Sequence, residues 1–506
     1  DGVDDVSGLI SNHSLVQWPG MAARWLLPIS TDTVLLWTPV VLAGFLAIPI
    51  ILIGRCLGNV WWGFGSSIIA LAAVNYYERT MGGYYDHDML SLTWMTLITW
   101  LLIEADRRSS MAWTFAGCMS MVLLPLLYAA GSIIAIGVGV VWIVQRLVRD
   151  HRSPFTRSST ILVALASAAV PFAAGDRVAI DPWPWFGLVA LLLVAAILLR
   201  RAPSMRFYVV LVGCSLVLAA VVFPWNETWI KVVTYAKGVD LGSLATGRFA
   251  EISYREPHRL SIMEGQRVSL DELGYRLLGN VWLSLLAIAG YFIACLCRPL
   301  LLCLLPMTAV GLFAFTGGLR FITWATVPAA IGVAWIAFLV PSLLRARSAS
   351  SPHTGALTVA VGIVLCILMA TPGILHTIRF KPPSSFNTSE IEVLQVLDDV
   401  SDSVDVTIGW WDYGSGIWYY GGCDVLVHPG RRSDDLFFIS HLLLGDSQTQ
   451  AAGLARALSG WRSAGARVPT RTALQKAGYP AKRDLGEAMG RVESEKDPAP
   501  DHSDRT

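Results

Sequence analysis

Long apolar runs recur along most of this chain, and they constrain it more than any other feature. A hydrocarbon core of roughly 30 Å takes about 17 to 25 apolar residues per helix, so the runs near 35–54, 58–77, 89–104, 111–130, 131–146 and 160–175 read as spans. Six more lie near 183–200, 206–223, 281–297, 299–316, 321–344 and 356–375, about twelve in all. In lipid each backbone amide must be satisfied within the chain, so such runs form helices. The 506 residues are 54% hydrophobic and 15% charged, with mean hydropathy +0.55. That balance excludes an ordinary soluble protein and predicts a polytopic α-helical membrane protein.

The net charge of +1 conceals an asymmetry. Arg55, Arg107, Arg108, the arginines from Arg146 to Arg157, Arg200, Arg201, Arg206, Arg298, Arg345 and Arg347 fall in alternate connections. The positive-inside rule makes that side cytoplasmic. The opposite loops carry Arg79, Arg177 and Arg320, and the same counting puts the 225–278 loop and the tail after 378 outside. Six of the eight cysteines fall in apolar spans and Cys56 at the end of one, leaving Cys423 in the tail, so no disulfide framework is expected. The chain opens on Asp1 with no leader or first-helix signal, and the expectation is that it lacks its beginning.

Three regions follow. Residues 1–34 read as an outer loop with a Trp-Pro-Gly turn at 18–20, residues 35–378 as the membrane domain interrupted by the 225–278 loop, and 379–506 as an outer soluble α/β domain. In the last, a helix is expected at 388–400 with Thr388 or Ser389 as cap, strands at 404–409 and 424–428, and helices near 433–444 and 447–461. The tail 493–506 has a disordered composition.

Within this frame a few polar residues stand out. Tyr84-Tyr85-Asp86-His87-Asp88 lies in a short outer loop, and two carboxylates one residue apart at a membrane mouth suit a divalent hard cation; the plain alternative is a solvated polar loop. Arg79 just before them is placed to orient a carboxylate. Arg320 follows Gly317-Gly318, where the backbone turns tightly, and its guanidinium suits phosphate oxygens, a snorkelling arginine being the alternative. Glu264, His258 and His428 read by composition as solvated or structural, and the Asn-x-Ser/Thr triplets at Asn12, Asn226 and Asn387 carry no functional weight. Trp410-Trp411-Asp412-Tyr413-Gly414, outside any span, predicts an indole-lined pocket with a carboxylate at its floor, sized for a small hydroxylated or methylated group.

These segments resemble the catalytic subunit of oligosaccharyltransferase, the asparagine-linked glycosylation enzyme, in its bacterial and archaeal single-subunit form. The Trp410 to Gly414 segment is identical to that family's signature, Arg79 to Asp88 is similar to its second-outer-loop motif, and Gly317-Gly318-Leu319-Arg320-Phe321 matches a third stretch. The resemblance implies a GT-C type membrane fold with a C-terminal extracytoplasmic domain, located in the cell (inner) membrane and facing the periplasm. It implies Asp86, Asp88 and Glu264 as the catalytic and metal-holding set for Mn2+ or Mg2+, Glu264 through its place in Ser261-Ile262-Met263-Glu264. Arg79 would support them and Arg320 would bind the donor pyrophosphate. Trp410, Trp411, Asp412 and Tyr413 would hold the acceptor, Asp412 taking the hydrogen bond of the Ser or Thr hydroxyl.

The implied reaction moves a glycan from a polyprenyl-pyrophosphate donor to the side-chain amide of Asn in Asn-x-Ser/Thr, with the 225–278 loop ordering over the peptide. The expected partners are the lipid-linked oligosaccharide, acceptor polypeptides and the bilayer, with no nucleic acid. Two departures stand: the family's first-loop Asp is expected upstream of Asp1, and its Met-x-x-Ile segment is not found before Thr506. The alternatives are another polyprenyl-linked sugar transferase of the same membrane class, which has no need of the Trp-Trp-Asp signature, and a transporter or flippase. The latter predicts ionisable residues in mid-span, whereas here the charges gather at the ends.

Overall fold

The computed structural model describes residues 18–173, 183–199, 267–346, 352–382, 386–401 and 405–427, with a few isolated positions. The described residues divide into two compact units, one up to Phe380 and one from Lys381. In the first, helix runs through every stretch expected to span except 206–223, which lies almost wholly outside the described residues. Among the described residues seven helical segments are long and apolar enough to cross a membrane, and eight if a bent pair counts as one.

The differences from expectation have local causes. Trp18-Pro19-Gly20 opens a helix, Trp18–Leu26, rather than a turn, because proline with its fixed φ is at home in a first helical turn. The 58–77 stretch is two helices, Val60–Leu71 and Val74–Glu78, with a break at Ala72-Ala73. The end of the stretch read as outer loop is also helical: Leu270–Leu278 begins at Ser269, whose hydroxyl accepts from the Glu272 amide at 3.1 Å. It buries Leu273, Leu277 and Leu278 and meets the Val281–Cys297 helix at a bend of 76°.

One apolar cluster runs through the membrane unit, and several of its buried aromatic residues place their polar atoms on backbone carbonyls. Trp142 Nε1 donates to Leu102 O at 2.9 Å, Trp62 Nε1 to Ile331 O at 3.1 Å and the Tyr76 hydroxyl to Ala43 O at 2.9 Å. Each such bond stabilises by about 1 kcal/mol net, and its loss in a dry interior costs more than that. The Val281–Cys297 and Thr326–Ala346 helices approach backbone to backbone at Gly290 and Gly332, where an added Cβ would strike the Gly332 and Ala287 carbonyl oxygens.

The Asp88–Arg108 helix carries Asp88 at one end and a charged cluster about 24 Å along its axis at the other. There Glu104 accepts from Arg107, Arg108 and the Cys56 thiol, while buried Asp106 pairs with Arg146 at 2.5 Å and Arg149 at 2.9 Å. The basic clusters read from the sequence are therefore partly neutralised by buried carboxylates. All seven cysteines among the described residues are free.

The second unit holds the Thr388–Val400 helix, the Trp411–Tyr420 helix and two short parallel strands, Val406–Thr407 and Asp424–Val425. The first helix stands where expected, but its cap is Asn387. The Asn387 side chain accepts from the Glu390 amide at 2.9 Å and the Glu390 carboxylate accepts from the Asn387 amide at 2.8 Å, a capping box. The strands are shorter than the expected 404–409 and 424–428. The expected helices at 433–444 and 447–461, nearly in full, and the 493–506 tail lie outside the described residues.

Candidate functional site

Residues 79–88 turn from the Val74–Glu78 helix into the Asp88–Arg108 helix. The Thr80 amide donates to Tyr77 O at 3.0 Å, the Tyr84 amide to Met81 O and the Asp86 amide to Tyr84 O at 3.1 Å. Gly83 adopts φ 84°, a left-handed conformation that favours glycine, and its amide donates to Leu36 O at 3.0 Å. The result is a compact hairpin that delivers Asp86, His87 and Asp88 together. Asp88 opens its helix, where the positive end of the macrodipole favours a carboxylate.

Arg79 is buried and donates through Nη1 to Asp88 Oδ2. The two side chains are 8% and 13% exposed, so the pair sits where solvent screening is weak and a lone charge would be costly. His87 lies between the two carboxylates, with Nδ1 against Asp86 Oδ1 and Nε2 3.6 Å from Asp88 Oδ1. Burial pushes the Asp86 carboxyl up, but the hydrogen bond and charge of His87, with Arg79 beyond, outweigh it and hold it below the usual range. Burial lowers His87, while the bond to Asp86 and the charges of Asp88 and Asp86 raise it further, and Arg320 opposes them; the imidazole ends above its ordinary value.

A polar pocket beside this cluster is lined by Arg79, Asp88, Tyr128, Arg320, Thr323 and Trp324. Arg320 reaches it from a short 3-10 segment, Leu319–Ala325, which Gly318 introduces at φ 115° and ψ 165°. Only glycine adopts that region without strain. Thr323 in the same segment accepts from buried Asn75 Nδ2. Tyr128 stacks on His87 at 4.5 Å and faces Trp324 at 5.9 Å. One aromatic column thus joins the acidic hairpin to the arginine segment.

The structure brings Asp86, Asp88, Arg79 and Arg320 to one place, while Glu264 lies outside the described residues. Sequence reasoning passed over His87, Tyr128 and Trp324. For His87 the signal was its position between two aspartates; for the two aromatic residues there was none. A cation fits this donor set: one ligand atom each from Asp86, His87 and Asp88 lie within 4.8 Å of one another. Two carboxylates suit a hard divalent ion, and the imidazole widens the set toward transition metals.

In the second unit Trp410 precedes the Trp411–Tyr420 helix, Trp411 is buried, and Asp412 and Tyr413 are exposed in the first turn. The Tyr413 hydroxyl donates to Glu390 Oε1 at 3.3 Å. The expected carboxylate at a pocket floor is instead an exposed carboxylate at a helix start, because the helix turns residues 411, 414 and 417 inward and 412 and 413 outward.

The helical unit with its acidic hairpin, followed by a smaller helix-and-strand unit, defines a polytopic α-helical membrane protein. The chain belongs to the oligosaccharyl transferase STT3 family: the family description "Oligosaccharyl transferase STT3, N-terminal" matches residues 15–378, and "STT3/PglB/AglB core domain" matches residues 403–495. Its fold is of the GT-C type. It is 24% identical over 441 residues to an undecaprenyl-diphosphooligosaccharide–protein glycotransferase of Campylobacter jejuni, covering 85% of this chain and 58% of that protein.

The apo crystal structure of the Archaeoglobus fulgidus oligosaccharyltransferase is similar at a TM-score of 0.59 and 14% identity, over 88% of this chain and 61% of that one. The same enzyme tethered to an acceptor peptide containing the NVT sequon is similar at 0.58 and 16%, over 88% and 60%. Its complex with Zn and sulfate is similar at 0.56 and 14%, over 88% and 58%. The chain therefore spans about three fifths of the length of these relatives.

Proposed function

We propose that this chain transfers a glycan from a polyprenyl-pyrophosphate donor to the side-chain amide of Asn in Asn-x-Ser/Thr. The observation that carries this is the shared pocket in which the buried Arg79–Asp88 pair faces Arg320. An anionic cluster for the reacting amide and a guanidinium for a departing pyrophosphate are the two poles such a transfer needs. The names of the Campylobacter relative and of the Archaeoglobus complexes, one with a dolichol-phosphate, support the donor and acceptor classes.

The acceptor amide is a poor nucleophile because its nitrogen lone pair is delocalised into the carbonyl. Glu264 would accept a hydrogen bond from the amide NH2 and help twist it out of conjugation. Arg79 holds Asp88 in place from beneath, and Arg320 binds pyrophosphate oxygens through its fork of donors. Asp86 and Asp88, with Glu264, would hold Mn2+ or Mg2+, and His87 would complete the set in the hairpin. A bound cation supplies positive charge that fixes the carboxylates and offsets charge on the leaving group.

Acceptor selection belongs to the second unit. Asp412 would accept the hydrogen bond of the Ser or Thr hydroxyl beside Trp410, Trp411 and Tyr413, and a peptide without that hydroxyl would leave its carboxylate unpaired. The arginine distribution supports an orientation with hairpin and second unit outside, on the periplasmic face of the cell's inner membrane.

The test mixes purified protein, a lipid-linked oligosaccharide, Mn2+ and a fluorescent Asn-x-Thr peptide. A gel shift that vanishes with Asn-x-Ala and with Asp86→Ala is the expected result. A shift that survives both changes would sink the proposal.

A further inference from the structure

Two helices converge on Glu78, the residue before Arg79. Arg276 of the Leu270–Leu278 helix donates through Nη1 to Glu78 Oε2 and through Nε to Glu272 Oε1 one turn earlier. His376, in the last turn of the Pro352–Arg379 helix, places Nε2 3.3 Å from Glu78 Oε1. Its other nitrogen, Nδ1, lies 3.0 Å from the Tyr275 hydroxyl. Phe380 stacks on the His376 ring at 5.0 Å and Tyr77 meets it edge-on at 6.4 Å. Glu78 and Arg276 are 19% and 16% exposed, so this is a partly enclosed network and not a solvated surface pair.

The hairpin that carries Asp86 and Asp88 has two ends of unequal strength. At Asp88 it enters a helix of 21 residues. At Arg79 it leaves a helix of only five, which has little stability of its own. Whatever holds Glu78 therefore sets the backbone from which the Arg79 guanidinium reaches Asp88.

We infer that Glu78 is a positioning residue, whose carboxylate ties the start of the acidic hairpin to the Leu270–Leu278 helix through Arg276 and so fixes where Asp86 and Asp88 stand. This rests on the reading of the hairpin as the catalytic centre. The two helices have separate neighbours in sequence: Leu270–Leu278 closes the 225–278 stretch, and Pro352–Arg379 precedes the second unit. The Glu78–Arg276 bond thereby joins the hairpin to the end of the 225–278 stretch, with His376 of the Pro352–Arg379 helix beside it.

Hydrogen-exchange mass spectrometry on the full chain in detergent tests this without donor, peptide or metal. Glu78→Gln and Arg276→Gln should each speed exchange across residues 79–91 by about tenfold, with peptides from 104–110 unchanged. The double variant should exchange no faster than either single one, since both remove the same link. Glu272→Gln, which removes only the partner on the same helix, should stay within about twofold of the parent.

Binding of Mn2+ alone, read from the resonance of the free ion, should weaken about threefold to tenfold in Glu78→Gln, less than the roughly tenfold to hundredfold typical of groups bonded directly to the ligands. If Glu78→Gln loosens the 104–110 peptides as well, Glu78→Asp serves instead and should give a smaller change confined to 79–91. Parental exchange in 79–91 for a folded Glu78 variant, or additive effects in the double variant, would overturn the inference. If the parent protein transfers no glycan, the transferase reading falls while the exchange data still judge Glu78.

Discussion

Arg79 and Asp88 show how much one pair can decide. Removing the guanidinium leaves a carboxylate that is 13% exposed without its charge partner, a costly state that rotation or protonation would relieve. Arg79→Ala should therefore raise the Mn2+ concentration for half-maximal turnover by about tenfold to a hundredfold, while Arg79→Lys, a charge without the planar fork, should fall between. Turnover measured against Mn2+ concentration checks this. Asp86, Asp88, Arg79 and Arg320 were legible because charges at the mouth of a membrane domain are rare and each needs a reason. His87 was passed over, although its place between two aspartates was a signal, because the two carboxylates alone drew the metal reading. The stack of Tyr128 between His87 and Trp324 was invisible because its members are far apart in the chain and meet only through packing.

Among the elements, the 3-10 segment with Arg320 depends on its entry. Gly318→Ala forces a side chain into φ 115° and should cost about 1–3 kcal/mol, read as a lower melting temperature together with weaker donor binding. In the second unit Asn387→Ala removes one half of the capping box and should cost about 1 kcal/mol, seen as faster amide exchange in the first turn of Thr388–Val400.

The Thr388–Val400 helix was legible from its apolar spacing and polar start. The Trp411–Tyr420 helix was not, because Gly414 and Gly416 lower its local propensity and the decision falls to burial of Trp411, Gly414, Gly416 and Ile417. Leu270–Leu278 differs: its serine cap and amphipathic pattern were local signals, hidden within a polar stretch.

For the whole molecule, the membrane class follows from the apolar runs, which need no knowledge of packing. What those signals could not give was the breaks, at Ala72-Ala73 and at the 76° bend, since a hydropathy run does not record where a helix turns. The bound cation should act on the whole fold. Saturation at about a hundredfold above its dissociation constant stabilises by about 2.7 kcal/mol, so a chelator should lower the melting temperature and Mn2+ should restore it. A melting temperature indifferent to both would count against a cation in the Asp86–Asp88 hairpin.

The contact of Gly290 with Gly332 has a consequence for the choice of surroundings. Lipid tails are as apolar as the helices they surround, so nothing squeezes these two helices together; they stay joined because bare backbone fits bare backbone better than any acyl chain fits either. The Thr326–Ala346 helix follows directly on the segment that carries Arg320. Amphiphiles slim enough to wedge into that seam would compete with it, and the placement of Arg320, with the pyrophosphate binding proposed for it, would then vary with the detergent chosen to extract the protein.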